Sequence, residues 1–132
     1  MATRHQVREC VVGLLYAHEL GNDNIVNIID DMLEDKKIRN KQKDFAKLLF
    51  NGVLDNKEAI DNKIISQLNE HYSFERIGNI EKSILRLGVY EILFSEVDEA
   101  VIINEAIEIT KDIGNENSSK FVNGVLDSIK RG

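Results

Sequence analysis

Proline is absent from the 132-residue chain, and cysteine occurs once, at Cys10. Because no proline interrupts them, the helices must end at glycine, asparagine, aspartate or serine. A single cysteine forms no internal disulfide. No apolar run approaches the roughly 18 residues that a membrane span needs, and the first residues lack the apolar stretch of a secretory signal. These absences predict a cytoplasmic protein outside the membrane.

The composition is that of a folded domain, with 42% hydrophobic and 30% charged residues. The net charge of −6 argues against nonspecific binding of nucleic acid. The charge is unevenly distributed, since residues 36–47 contain six bases and one acid, whereas residues 95–116 contain seven acids and one base. This segregation favours distinct surfaces for distinct partners, although ordinary solvated helix faces give the same pattern.

Apolar residues recur every three or four positions in seven segments, and no segment alternates, which predicts an all-α fold of about seven helices. Gly21 is expected to end the first helix. Asn79 is expected to cap the fifth helix, and Asn117 or Ser118 the seventh. The fifth helix, apolar over most of its circumference, is expected to be the most buried. The sixth is expected over residues 101–113.

The third and fourth helices are predicted to turn one apolar stripe inward. The expected inward residues are Phe45, Leu48, Leu49, Gly52 and Val53 in the third helix, and Ile60, Ile64, Ile65 and Leu68 in the fourth.

Residues 71–78 break the helical periodicity and are interpreted as an internal boundary. We expect one domain over residues 1–132, built of two packed helical subdomains, 1–70 and 79–132, joined by that loop. The sequence of residues 51–55 recurs unchanged at 123–127, which supports two related halves. Glycine inside a helix costs about 1 kcal/mol against alanine, so Gly52 and Gly124 are expected where another helix approaches closely.

A search for catalytic groups finds no set with the right spacing. The three histidines lie in separate segments without metal-ligand spacing, and the glycines form no phosphate-binding loop. Cys10 lies on an apolar stripe, so a packed thiol is favoured over a nucleophile. A carboxylate cluster is interpreted as a solvated face and not as a cation site; it comprises Asp30, Asp31, Glu34 and Asp35. We therefore expect no enzyme, no cofactor and no metal.

A search for binding groups finds more. Arg4 and Arg8 lie one turn apart on the side of the first helix predicted to face away from its apolar stripe, where they can engage neighbouring phosphates. Tyr16 offers a ring on which a base can stack, and Lys120 precedes Phe121 at the start of the last helix. The same residues also have structural explanations. The two arginines can serve surface solubility, Tyr16 can lie at the edge of the core, and Lys120 with Phe121 can cap the core.

Four segments together resemble the NusB family and frame essentially the whole chain. They are residues 81–91, residues 103–111, residues 120–127, and Arg8-Glu9-Cys10 followed by Leu15-Tyr16. The resemblance implies an all-helical fold of two subdomains and binding of the boxA RNA element of ribosomal RNA operons. It also implies a heterodimer with NusE, a small-subunit ribosomal protein. That heterodimer would join the elongating RNA polymerase complex together with other Nus factors. The resemblance implies no cofactor.

The resemblance assigns residues to both partners. It implies RNA binding by Arg4, Arg8, Tyr16, Asn117, Lys120 and Phe121, and partner binding by Glu81. The chain departs from the family in two places: His5 and Gln6 interrupt the usual arginine run at the start, and the loop before the sixth helix lacks the usual proline.

Two other functions stay open at this point. NusB-like domains also resemble the N-terminal RNA-binding domain of a ribosomal RNA cytosine methyltransferase, which would require a βα pattern and a cofactor loop beyond residue 132. The third hypothesis is a helical adaptor between proteins that does not bind RNA. A homodimer of the free protein is also compatible with the sequence.

Overall fold

The computed structural model describes residues 2–129 and confirms seven helices, with no strand among those residues. Residues 1 and 130–132, the ends of the expected domain, lie outside the described part. No helix within it is long and apolar enough to cross a membrane. The helices are α1 (Arg4–Glu19), α2 (Ile25–Asp35), α3 (Lys41–Asp55), α4 (Lys57–Ser66), α5 (Asn79–Phe94), α6 (Glu99–Ile113) and α7 (Ser119–Ser128).

Local side-chain and glycine chemistry sets several helix ends. α1 begins with a capping box, in which the hydroxyl of Thr3 accepts from the backbone N–H of Gln6 and the Gln6 side chain accepts from the N–H of Thr3. Gly21 follows α1 with a φ of 101°, a left-handed conformation that glycine adopts without strain, as predicted. Asp98 accepts from the N–H of Ala100, so α6 begins two residues before its predicted start.

One predicted cap, Asn79, is wrong, and a second, Ser118, has the predicted position without a side-chain capping bond. Asn79 is the first residue of α5, and Gly78 occupies the cap position before it. Ser118 does occupy the cap position of α7, but its side chain makes no capping hydrogen bond. Asn117 belongs to a short 3-10 turn, Glu116–Ser118, which leads directly into α7. The start of α7 is therefore held by that turn and not by a side-chain cap.

α5 is the central helix, which confirms the prediction that it is the most buried. Every residue from 82 to 92 is buried, and α5 packs against α1, α3, α4, α6 and α7. Its buried Arg86 donates to both oxygens of Asp61 on α4 and to Glu19 on α1. The buried apolar residues form a single core that runs through both expected halves. The division into residues 1–70 and 79–132 stays an interpretation of the sequence.

The predicted inner stripes of α3 and α4 differ from the structure at four positions. Leu48 is 59% exposed and Ile65 is 47% exposed. Phe50, absent from the predicted stripe, is completely buried. The reason is that α3 packs against both α1 and α5, so its buried face is wider than one stripe and is turned away from Leu48. Leu68 lies beyond the end of α4.

The two repeated glycines have different environments. A Cβ atom at Gly52 would collide with the ring of Tyr90 on α5, so close approach explains this glycine, although a side chain and not a helix backbone approaches. A Cβ at Gly124 would meet nothing within 4 Å, so the same expectation is wrong there. Gly88 on α5 is the glycine that approaches α7, where a Cβ would lie 2.9 Å from the methyl carbons of Leu126.

Candidate nucleic-acid interface

Arg4 lies at the exposed start of α1, as the sequence predicted. Its guanidinium carbon is 4.2 Å from the centroid of the Phe45 ring on α3. This cation–π contact holds the guanidinium against the ring. The N–H groups lie along the edge of the guanidinium plane, where they can donate to a phosphate.

Arg8 is buried, so the prediction that it faces away from the apolar stripe is wrong. Only 3% of the residue is exposed, because α5 packs over this side of α1. Its Nε donates to both carboxylate oxygens of Glu91 on α5, at 3.1 and 3.0 Å, and its Nη2 donates to one of them at 3.0 Å. In this position Arg8 ties α1 to α5, and its charge is already matched inside the protein.

The start of α7 presents a cation and an aromatic pair together. Lys120 is exposed, and the partly buried Phe121 packs on Tyr72 with ring centroids 5.0 Å apart and an angle of 36° between the rings. Tyr72 is 52% exposed. The sequence reasoning missed Tyr72 because it lies in the 71–78 loop, where no periodicity marks it. An exposed aromatic surface beside a lysine is suited to an unstacked base and its phosphate.

Tyr16 is partly buried on α1, which fits a tyrosine at the core edge as well as a platform for a base. Arg4 and Tyr16 are twelve residues apart on one helix, which corresponds to roughly 18 Å along its axis. They therefore contact different nucleotides if both contact RNA.

Glu81 lies at the start of α5 and contacts the turn between α6 and α7. Its Oε2 accepts a hydrogen bond of 2.9 Å from the backbone N–H of Asn115. The side-chain oxygen of Asn115 accepts in turn from the N–H of Asn117, at 3.0 Å. Asn115 therefore connects Glu81, the partner-binding position implied by the resemblance, with Asn117, one of the implied RNA-binding positions.

Three of the six bases in residues 36–47 pair with carboxylates of α2. Lys43 and Arg39 donate to the two carboxylate oxygens of Glu34 at 2.8 and 3.0 Å, and Lys47 pairs with Asp30 at 3.0 Å. The hydrogen bond from Lys43 lowers the pKa of Glu34 and raises the pKa of Lys43 itself. This pairing makes Asp30 and Glu34 of the carboxylate cluster counterparts of the basic run, and it makes the paired side chains less available to external partners.

His5 brings α1 and α6 together through two carboxylates of α6 that lie about 100 residues away in the sequence. Its Nδ1 is 2.6 Å from Glu105, and its Nε2 is 3.1 Å from Asp112 and 3.4 Å from Glu9. The hydrogen bond with Glu105 raises the pKa of His5, although partial burial works against this shift. Ligand atoms of His5, Glu9 and Asp112 lie within 4.8 Å of one another, a spacing that a divalent cation can use. Protonated His5 supplies positive charge to the same carboxylates.

Cys10 lines a groove of about 690 Å³ between α1, the loop before α3 and the end of α6. Burial raises the pKa of its thiol, although the nearby charge of Lys36 works in the opposite direction. Little thiolate is present at neutral pH under these conditions, which supports the interpretation of Cys10 as a packed thiol.

Known proteins resemble this chain over nearly its full length. The model of the NusB family matches residues 5–131. The transcription antitermination protein NusB of Sulfurimonas denitrificans is 58% identical over 131 residues, which cover 99% of this chain and 98% of that protein.

Solved structures resemble the fold equally well. NusB of T. maritima superposes with a TM-score of 0.87 at 38% identity, covering 97% of this chain and 90% of the other. A crystal structure of the antitermination factors NusB and NusE in complex with dsRNA contains a chain that superposes with a TM-score of 0.84 at 30% identity. That match covers 96% of this chain and 94% of the other.

Proposed function

This chain belongs to the NusB family of transcription antitermination proteins, and we propose from that premise that it binds boxA RNA together with NusE. The observation that carries the proposal is the likeness to the chain found with NusE and dsRNA, which extends over 96% of this protein. The family and the relatives are named for antitermination and not for methyl transfer, so neither alternative function is favoured.

The RNA surface that we propose has two parts, the start of α1 and the start of α7. Arg4 supplies a phosphate contact from α1, and Tyr16 a stacking surface further along the same helix. Lys120 supplies a second cation beside the ring of Phe121, and Asn117 lies in the turn before them. Tyr72 enlarges the aromatic surface, because its ring packs on Phe121 and is half exposed.

Arg8 supports this surface from inside and does not contact phosphate. Its guanidinium is bound to Glu91 and 5.5 Å from the ring of Phe45, the same ring that carries Arg4. Loss of Arg8 would therefore disturb the attachment of α1 before it changed any direct contact. This role replaces the phosphate contact that the resemblance implied.

NusE is proposed to bind at the start of α5, around Glu81, in a complex with one copy of each protein. A basic ribosomal protein would offset the net charge of −6 and contribute cations to a shared RNA surface. The heterodimer would then join the elongating RNA polymerase in the cytoplasm with other Nus factors. It would act by holding RNA and protein together, without catalysis or a cofactor.

A gel-shift measurement with boxA RNA, with and without NusE, tests the proposal. We expect weak binding by the chain alone, tighter binding with NusE, and loss of both on scrambling the boxA sequence. Absence of binding in both conditions would refute RNA recognition. Equal affinity with and without NusE would refute the shared surface.

A further inference from the structure

We propose that Glu81 positions the RNA-binding start of α7 by holding the turn that precedes it. The proposal rests on the function proposed above and adds a role for Glu81 within this chain, separate from any contact with a partner. The observation behind it is the hydrogen bond of 2.9 Å from the backbone N–H of Asn115 to Oε2 of Glu81.

Two glycines leave space for this carboxylate. A Cβ at Gly78 would lie 2.5 Å from Oε1 of Glu81, and a Cβ at Gly114 would lie 2.8 Å from Oε2. Neither glycine has a positive φ, so backbone conformation does not require glycine at these positions. The requirement is space, which the carboxylate of Glu81 needs at both positions and which the backbone carbonyl of Thr110, 3.0 Å from a Cβ at Gly114, also limits at the second.

The hydrogen-bonded turn runs from this carboxylate to the proposed RNA contacts. Asn115 accepts through its side chain from the N–H of Asn117 and through its backbone carbonyl from the N–H of Ser118. The next helix, α7, begins at Ser119 and carries Lys120 and Phe121 in its first turn. Since no side-chain cap holds this helix start, the position of Asn115 is one of its local restraints, beside the bonds from Ser119 to the carbonyl of Glu116.

Loss of the Glu81 carboxylate has two effects on RNA affinity, one through its charge and one through the turn that it holds, and they act in opposite directions. Removing a negative charge from an acidic protein should strengthen RNA binding slightly. Removing a support of the binding turn should weaken it. Glu108 is exposed on α6 and provides the matched change, because Glu108→Ala removes the same charge without touching the turn.

The test measures boxA affinity of the complete chain without NusE, for wild type, Glu81→Ala, Glu81→Gln and Glu108→Ala. We expect Glu81→Ala to bind about fivefold more weakly, the loss that one net hydrogen bond corresponds to. Glu81→Gln should keep most of the affinity, because its amide oxygen can still accept from Asn115. Glu108→Ala should bind at least as tightly as wild type.

Amide hydrogen exchange at Asn115 provides a second readout that does not depend on RNA. Its protection should fall in Glu81→Ala and be kept in Glu81→Gln. Gly78→Ala, which leaves the charge but displaces the carboxylate, should weaken RNA binding as Glu81→Ala does.

Failure of the inference and failure of the proposed function give different results. Wild-type protein that does not bind boxA, alone or with NusE, overturns the function. Wild-type binding with Glu81→Ala as tight as Glu108→Ala overturns the positioning role alone, as does unchanged exchange at Asn115 in Glu81→Ala.

Discussion

The starts of α1 and α7 both place cations beside aromatic rings, but they hold those cations differently. At α1, Arg8 is buried in the protein while Arg4, one turn earlier, remains exposed. At α7, Lys120 is exposed and the partly buried Phe121 is part of an aromatic pair. The difference teaches that residue type and spacing identify basic side chains, whereas packing against other helices decides which of them can reach RNA.

The largest expected effect concerns the buried side of α1. Arg8→Ala leaves the carboxylate of Glu91 in the core without its partner, so the free energy of unfolding should fall by about 3–5 kcal/mol. Arg4→Ala, one turn away at the surface, should lower it by about 1 kcal/mol or less. Urea denaturation followed by circular dichroism measures both.

A paired replacement separates the charge from the packing. Arg8→Met combined with Glu91→Leu removes both buried charges and should recover most of the lost stability, since apolar residues of similar size can replace a buried ion pair. Equal stability of Arg8→Ala and Arg4→Ala would show that the two arginines of α1 do not differ as the structure indicates.

The second prediction addresses the aromatic side of α7. Phe121→Ala should weaken boxA binding by about 1–3 kcal/mol, because a base loses its stacking surface. The salt dependence of binding should stay unchanged, since no phosphate contact is lost. Fluorescence anisotropy at several salt concentrations measures both quantities, and Tyr72→Ala should give a smaller loss. If folded Phe121→Ala binds boxA with the affinity of wild type, the RNA does not bind at this surface.

The third prediction concerns the exposed cation of α1. Each phosphate contact to single-stranded RNA contributes roughly 0.7 to the logarithmic salt slope, so Arg4→Ala should reduce the slope by about that amount. Lys43→Ala is the matched loss of a cation, and it should change the slope less because Lys43 already pairs with Glu34. A larger change in slope for Lys43→Ala would identify the basic run, and not the start of α1, as the RNA surface.

The fold was predictable because helical periodicity and helix stops are local properties. Seven helices and the buried α5 follow from apolar spacing alone. The exposure of Leu48 and Ile65 was not predictable, because it depends on which neighbours surround α3 and α4. Of the helix ends, the stop at Gly21 was predicted, because glycine favours the left-handed conformation found there. The side-chain cap of Asp98 and the glycine-preceded start of α5 were not predicted.

The candidate site was predictable by residue type but not by environment. Arg8 has the spacing of a surface pair with Arg4, and only its ion pair with Glu91, 83 residues later in the chain, shows that it is buried. His5 is a similar case, since Glu105 lies 100 residues away. Contacts over such separations leave no local pattern in a single sequence.

The smallest expected effect also lies at the start of α1, where His5 contacts two carboxylates of α6 and one of its own helix. The hydrogen bond with Glu105 raises the pKa of His5 above its ordinary value of 6.5. Burial, together with the nearby Asp112, raises the pKa of Glu9 as well. A group whose pKa is raised on folding contributes stability below its unfolded pKa and loses that contribution as the pH rises through the folded value.

The stabilisation by His5 should therefore be complete below about pH 6.5 and should decline at higher pH. We expect the free energy of unfolding of His5→Gln to differ most from that of wild type at pH 6 and least at pH 9, measured by urea denaturation across that range. His5→Arg keeps its charge throughout, so its stability relative to wild type should rise with pH. His71→Gln removes a histidine whose side chain is 82% exposed and serves as the matched control. If the His5→Gln difference stays constant from pH 6 to pH 9, protonation of His5 does not join α1 to α6.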